Sequence, residues 1–203
     1  ARQIRKPGAY VGYSAFILMG LKTECQPCVW EGKFFIDLLD VFAPWAKAHC
    51  TQLLPVSAVS CTLVVQDGGS AALVPTSVEH PLSTTTHFVA GIRIPECQVS
   101  EGACSFETLY ALHGIAIMGT VLDGDCAFDV MCMMLGIPHS LSARKELRIE
   151  ISDYLIDRIT CPWLHDIMVV CQELRKEDVS LYMSGDADII AASIAPATAV
   201  ANP

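Results

Sequence analysis

The residues best suited to chemistry lie at the end of an apolar run, Gly119-Thr120-Val121-Leu122-Asp123-Gly124-Asp125-Cys126-Ala127-Phe128. An acidic turn precedes a cysteine placed where a helix should begin. Helix N-termini carry partial positive charge and free N–H groups, which favour a thiolate. The same N–H groups can hold the oxyanion of an acyl-transfer intermediate. Cys126 is therefore the candidate nucleophile. A second pattern, Cys25-Gln26-Pro27-Cys28, has metal or redox spacing, and His49 and Cys50 complete a possible four-ligand zinc set. A lone Cys-x-x-Cys pair is weak, and reduced loop thiols are the commoner meaning, so no metal or other cofactor is assigned. Asp123, Asp125 and Asp129 lack the glycine and closing glutamate of a calcium loop. His80 and His87 flank a Ser/Thr loop and receive no role.

The elements around Cys126 follow from periodicity. Residues 106–113 read as a short helix ended by Gly114, and 115–121 as a buried strand. Residues 126–135 read as an apolar helix closed by Gly136 and Pro138. The clearest helix covers 142–159, with Leu147, Ile151, Tyr154, Leu155 and Ile159 on one face and Arg144, Lys145, Arg148 and Asp157 mostly elsewhere. A further helix is expected over 163–174, entered through Pro162, and one or two turns over 177–183.

Upstream, residues 1–32 show little period. Residues 32–50 read as a helix with Phe34, Phe35, Leu38, Leu39, Phe42 and Trp45 on a broad face, bent or ended by Pro44. Residues 61–66 are β-rich, 67–70 form a turn, 71–74 suit a hairpin partner, and 87–94 read as a strand closed by Pro95. Residues 97–103 look like a linker. The expected organisation is an N-terminal α+β region over 1–100, a cysteine-box region over 104–185, and an Ala-rich flexible tail over 186–203.

The 203 residues are 52% apolar and 17% charged, with net charge −9. Low charge suggests a surface covered by partners or a piece of a larger protein, and Ala1 in place of Met with the Ala-rich end suggests trimming. The acidic balance argues against general nucleic-acid binding. The longest apolar stretch, 10–21, is too short to span a bilayer. Ten cysteines in a chain this long and apolar read as reduced thiols, which favours an intracellular reducing compartment.

The run Asp123-Gly124-Asp125-Cys126-Ala127-Phe128 resembles the cysteine box of the ovarian-tumour (OTU) peptidases, in which Asp-Gly-Asn/Asp-Cys is followed by an apolar residue and an aromatic. The resemblance continues through Leu135-Gly136, the Ala143-Arg144-Lys145-Glu146-Leu147-Arg148 segment and Asp153-Tyr154-Leu155, and covers about residues 113–160. It implies a papain-like α+β (or α/β) half-domain and cleavage of isopeptide bonds to ubiquitin, with Cys126 as nucleophile, Asp123 shaping the oxyanion loop, and Gly124 and Asp125 in that loop. The family places its general-base histidine on the order of a hundred residues beyond the cysteine. Here only His139 and His165 follow, neither at that position, so the expectation is an incomplete hydrolase whose base lies outside the chain. Acidic Asp129, next to where a substrate would run, also departs from ordinary ubiquitin recognition. The alternative is a pseudoenzyme: a non-catalytic binding or structural subunit of a larger assembly.

Overall fold

A computed structural model of the chain describes residues 2–9, 11–32, 34–65, 71–75, 86–94, 105–164 and 166–167. The fold is α+β. Its centre is a mixed sheet in the order β3 (Phe34–Asp37), β2 (Cys28–Glu31), β5 (Val56–Val65), β7 (Thr86–Arg93), β8 (Ile115–Met118). β6 (Ala71–Pro75) pairs with β5 beyond β2, on the same edge. Only β2 and β5 run parallel in this sheet. A separate parallel pair joins β1 (Cys25–Gln26) to β4 (Gln52–Leu53). Strands β5 and β7, from the N-terminal region, and β8, from the cysteine-box region, belong to one sheet.

Alternation along the strands divides the core in two. Val56, Ala58, Phe88 and Ala90 face helices α2 (Tyr13–Thr23), α6 (Cys126–Met134) and α7 (Leu141–Asp157). Val59, Cys61, Val89 and Ile115 face α5 (Phe106–Ala111) with Phe106 and Tyr110. Helix α6 is buried along nearly its whole circumference, including Phe128, Val130, Met131 and Cys132. Such a helix has nowhere to sit but between the sheet and other helices.

Several expectations hold. The hairpin of β5 and β6 forms, β7 begins where the strand was read, α6 starts at Cys126, and Gly136 follows it with φ +65°. Others need correction. Residues 1–32 contain α1 (Arg2–Arg5) and α2, whose Ala15–Gly20 stretch is buried on consecutive positions; a stretch enclosed on every side shows no amphipathic period. Residues 32–50 are not one helix. β3 comes first; then the Asp37 carboxylate accepts the Leu39 N–H at 2.9 Å and starts α3 (Leu38–Phe42), and Pro44 opens α4 (Pro44–Lys47). The expected aromatic face is accordingly split: Phe42 is buried, whereas Phe35 and Trp45 are exposed, Trp45 lying against Trp163. The strand after Gly114 stops at Met118 and is only partly buried. Ile159, assigned to the buried face of α7, is exposed.

The expected turn at 67–70, the linker at 97–103, His80, His165, the turns at 177–183 and the tail lie outside the described residues, as does most of the 163–174 helix. Among the described residues, no helix is long and apolar enough to cross a membrane.

Helix α7 starts at a side-chain cap: Ser140 Oγ accepts the Ala143 N–H at 3.3 Å. Ser140→Ala is expected to cost about 1 kcal/mol, read as a lowered thermal midpoint. The cap matters beyond its own energy because α7 carries the arginines that hold the cysteine loop.

Candidate functional site

After β8 the chain turns through Asp123, Gly124 and Asp125 into α6. Asp123 Oδ1 accepts the Asp125 N–H at 3.0 Å, an Asx turn, and Gly124 takes φ +86°. Asp125 occupies the N-cap position of α6 but makes no side-chain cap. Its Oδ1 instead accepts from the Gly8 N–H at 3.0 Å and from Arg148 Nε at 2.8 Å, with Arg148 Nη2 on the same oxygen.

Arg148 is completely buried, and each of its three side-chain nitrogens donates a hydrogen bond. Nη1 reaches the Ile4 carbonyl at 2.7 Å; Nη2 also reaches the carbonyls of Ala9 at 2.9 Å and Gly124 at 3.3 Å. Its guanidinium lies 4.1 Å from the centre of the Phe128 ring. One side chain therefore ties the amino-terminal segment, the acidic turn and α6 together. A buried charge is tolerable only when paired and hydrogen-bonded in this way.

Arg144, one turn earlier on α7, holds the other side of the loop. Nη1 donates to Asp129 Oδ1 at 3.0 Å and to the His139 carbonyl at 2.8 Å, while Nη2 lies 3.7 Å from Asp123 and Nε 3.8 Å from Asp125. Asp129 is buried and also accepts the Val121 N–H at 3.3 Å. Here the expectation is corrected: Arg144 and Arg148 lie on the buried face of α7, not off it; Lys145 is exposed as expected. Asp129 is buried and braces the loop.

Cys126 is 3% exposed. Burial pushes its thiol up and the nearby Asp123 charge adds to this, while backbone N–H groups of Phe88, Ala127 and Cys126 itself pull it back. The residue before Phe88 is His87. His87 is buried, and burial lowers its pKa, so the imidazole is neutral at pH 7. Its Nε2 lies 3.1 Å from Thr120 Oγ1. The Thr120 hydroxyl donates its only proton to the Phe88 carbonyl, so it must accept from the ring. Nε2 therefore carries the proton and Nδ1 the lone pair. Thr120 thus links the His87 ring to the Phe88 carbonyl. On the other side of β7, Cys61 donates to the His87 carbonyl at 3.3 Å, its own thiol pushed up to about 12 by burial.

His139 is exposed, with Nδ1 3.6 Å from Asp129 Oδ1, and His165 lies outside the described residues. Among the described residues no imidazole hydrogen-bonds the Cys126 sulfur directly. In the sequence, His87 stands at a strand end, where a histidine is usually structural, and Thr120 carries no signal of its own.

The candidate zinc ligands do not converge. Cys25 donates to the Thr23 carbonyl at 3.2 Å and lies 3.5 Å from Gln52 Oε1; Cys28 and Cys50 donate to the carbonyls of Gln26 and Gly20 at 3.8 Å. Burial pushes Cys28 up to about 12 and also raises Cys50, which disfavours the thiolates a metal needs. His49 is exposed. Among the described residues no group of three or more metal-ligating side chains forms, and Cys25, Cys28, Cys50, Cys61, Cys126, Cys132 and Cys161 are free thiols. Compared with family models, with curated proteins and with solved structures, the chain matches nothing.

Proposed function

We propose that the chain is a cysteine-type hydrolase of the OTU-like class, cleaving isopeptide bonds to ubiquitin or a ubiquitin-like protein, with Cys126 as nucleophile and His87 as general base. The observations that support this reading are the buried Cys126 thiol at the uncapped start of α6 and the Thr120 hydroxyl, which meets both the His87 ring and the Phe88 carbonyl.

In this mechanism His87 turns its Nδ1 lone pair to the sulfur and takes the thiol proton, while Thr120 keeps hold of Nε2–H. The thiolate attacks the carbonyl carbon. Backbone N–H groups at the start of α6, left uncapped by Asp125, receive the developing oxyanion. The amine departs with the proton from His87, leaving a thioester that water hydrolyses as His87 accepts a proton again. Asp123 shapes the turn and transfers no proton.

The alternative has its own support. The deep burial and raised value of Cys126 suit a non-catalytic subunit that binds protein partners in a larger complex. Ubiquitin carrying a thiol-reactive group at its C-terminus separates the two. The hydrolase reading expects covalent labelling that is absent in Cys126→Ala. A folded wild-type chain that takes no label sinks that reading and leaves the binding subunit.

A further inference from the structure

Asp125 stands at the N-cap of α6, the position where an aspartate ordinarily turns its carboxylate onto the second or third helical N–H. Those groups belong here to Ala127 and Phe128, and the Ala127 N–H is one that favours the Cys126 thiolate. A carboxylate capping the helix would take that N–H and set a negative charge beside the sulfur. Instead, Asp125 is drawn away to Arg148 Nε at 2.8 Å and the Gly8 N–H at 3.0 Å, at a site walled by the carbonyls of Ile4, Ala9 and Gly124.

We infer that Arg148 is a positioning residue that keeps the Asp125 carboxylate off the start of α6, so that the backbone N–H groups there stay free for the Cys126 sulfur and for an oxyanion. The amino-terminal segment is the other half of this device. Gly8 supplies a donor to Asp125, and the Ile4 and Ala9 carbonyls occupy the guanidinium face that Asp125 does not. The inference deepens the reading of Cys126 as nucleophile and rests on it for its use in turnover; its effect on the thiol stands by itself. Charged and titratable groups facing the loop are Asp123 and Asp125 within it, Asp129 and Cys126 on α6, Arg144 and Arg148 on α7, and His87 and Cys61 on the sheet.

The test is a cycle read by ultraviolet thiolate absorbance, each variant being subtracted from its Cys126→Ser counterpart and checked for fold by circular dichroism. In Arg148→Met the freed Asp125 caps α6, and the Cys126 ionisation midpoint rises by about one pH unit. In Arg148→Met/Asp125→Ala nothing can cap, and the midpoint returns to the wild-type value. An unchanged midpoint in Arg148→Met, or a double variant that stays as high as the single, overturns the inference. If Arg148→Met does not fold, the neutral pair Arg148→Met/Asp125→Asn and Arg148→Met/Asp125→Ala decides. Asparagine caps and alanine does not, so the Asn form must show the higher midpoint, and equal midpoints overturn the inference. The readout needs no substrate. A chain that ignores the ubiquitin probe yet obeys this cycle loses the hydrolase reading and keeps the positioning role.

Discussion

His87→Ala lowers kcat/KM on a ubiquitin-derived amide substrate by about 10²–10⁴, the usual contribution of a positioned general base. The loss falls on kcat, because a general base acts on the thiol and not on the bound protein. His139→Ala, the downstream rival, brings no comparable loss, since that side chain sits beside Asp129 on the exposed side of the loop. The pH profile carries the same assignment. Burial lowers the His87 pKa, so the acid limb of kcat/KM falls below the ordinary imidazole value of about 6.5. Stability follows the same group. The unfolded chain binds the His87 proton at a higher pH than the folded chain does, so this contribution to stability is lost as pH falls from about 6.5 toward the lower folded value. Thr120→Val removes the partner that fixes the Nε2–H tautomer; kcat falls with it and the thiol stays in place. If His87→Ala turns over normally, the base lies elsewhere and the dyad is wrong.

What the sequence made legible was local. Asp-Gly-Asp before an apolar run marked the start of α6, and Gly136 and Pro138 its end, because turn residues and helix stops act over a few positions. Helix α7 was equally clear. Its faces were not: a period-based reading puts arginine outside, and Arg144 and Arg148 belong inside only because Asp125 and Asp129 wait there to pair with them. That pairing crosses more than a dozen positions of sequence and leaves no trace in any window. Helix α2 was hidden for the opposite reason, being apolar on every side. The surroundings of His87 were not legible because strand pairing, not chain order, decides neighbours: β7 lies beside β8, and the segment after β8 brings Thr120 to His87 and Phe88. The amino-terminal segment offered no pattern at all, since its part in the site is played by backbone groups of Ile4, Gly8 and Ala9.

That segment gives the largest stability effect. Gly124 has φ +86°, and a Cβ placed on it would lie 2.1 Å from the Gly8 carbonyl oxygen and 2.7 Å from the Gly8 carbonyl carbon. Both obstacles are backbone, so neither can rotate aside. Gly124→Ala therefore combines the left-handed penalty of about 1–2 kcal/mol with an overpacking cost of about 1–3 kcal/mol. A total of about 3 kcal/mol lowers Tm by roughly 10 °C in a domain of this size. Relief comes only by pushing residues 4–9 off the loop, which strips Arg148 of the Ile4 and Ala9 carbonyls and Asp125 of the Gly8 N–H. The variant should then show faster amide hydrogen exchange in residues 4–9 and in the 123–126 turn together, because one contact closes both. Gly8→Ala, whose Cβ would lie 2.9 Å from the Asp123 carbonyl at φ +70°, acts on the same contact from the other side with a smaller loss. If Gly124→Ala melts with the wild type, the close approach of Gly8 and Gly124 is not a feature of the folded chain, and the amino-terminal segment has no part in holding the cysteine loop.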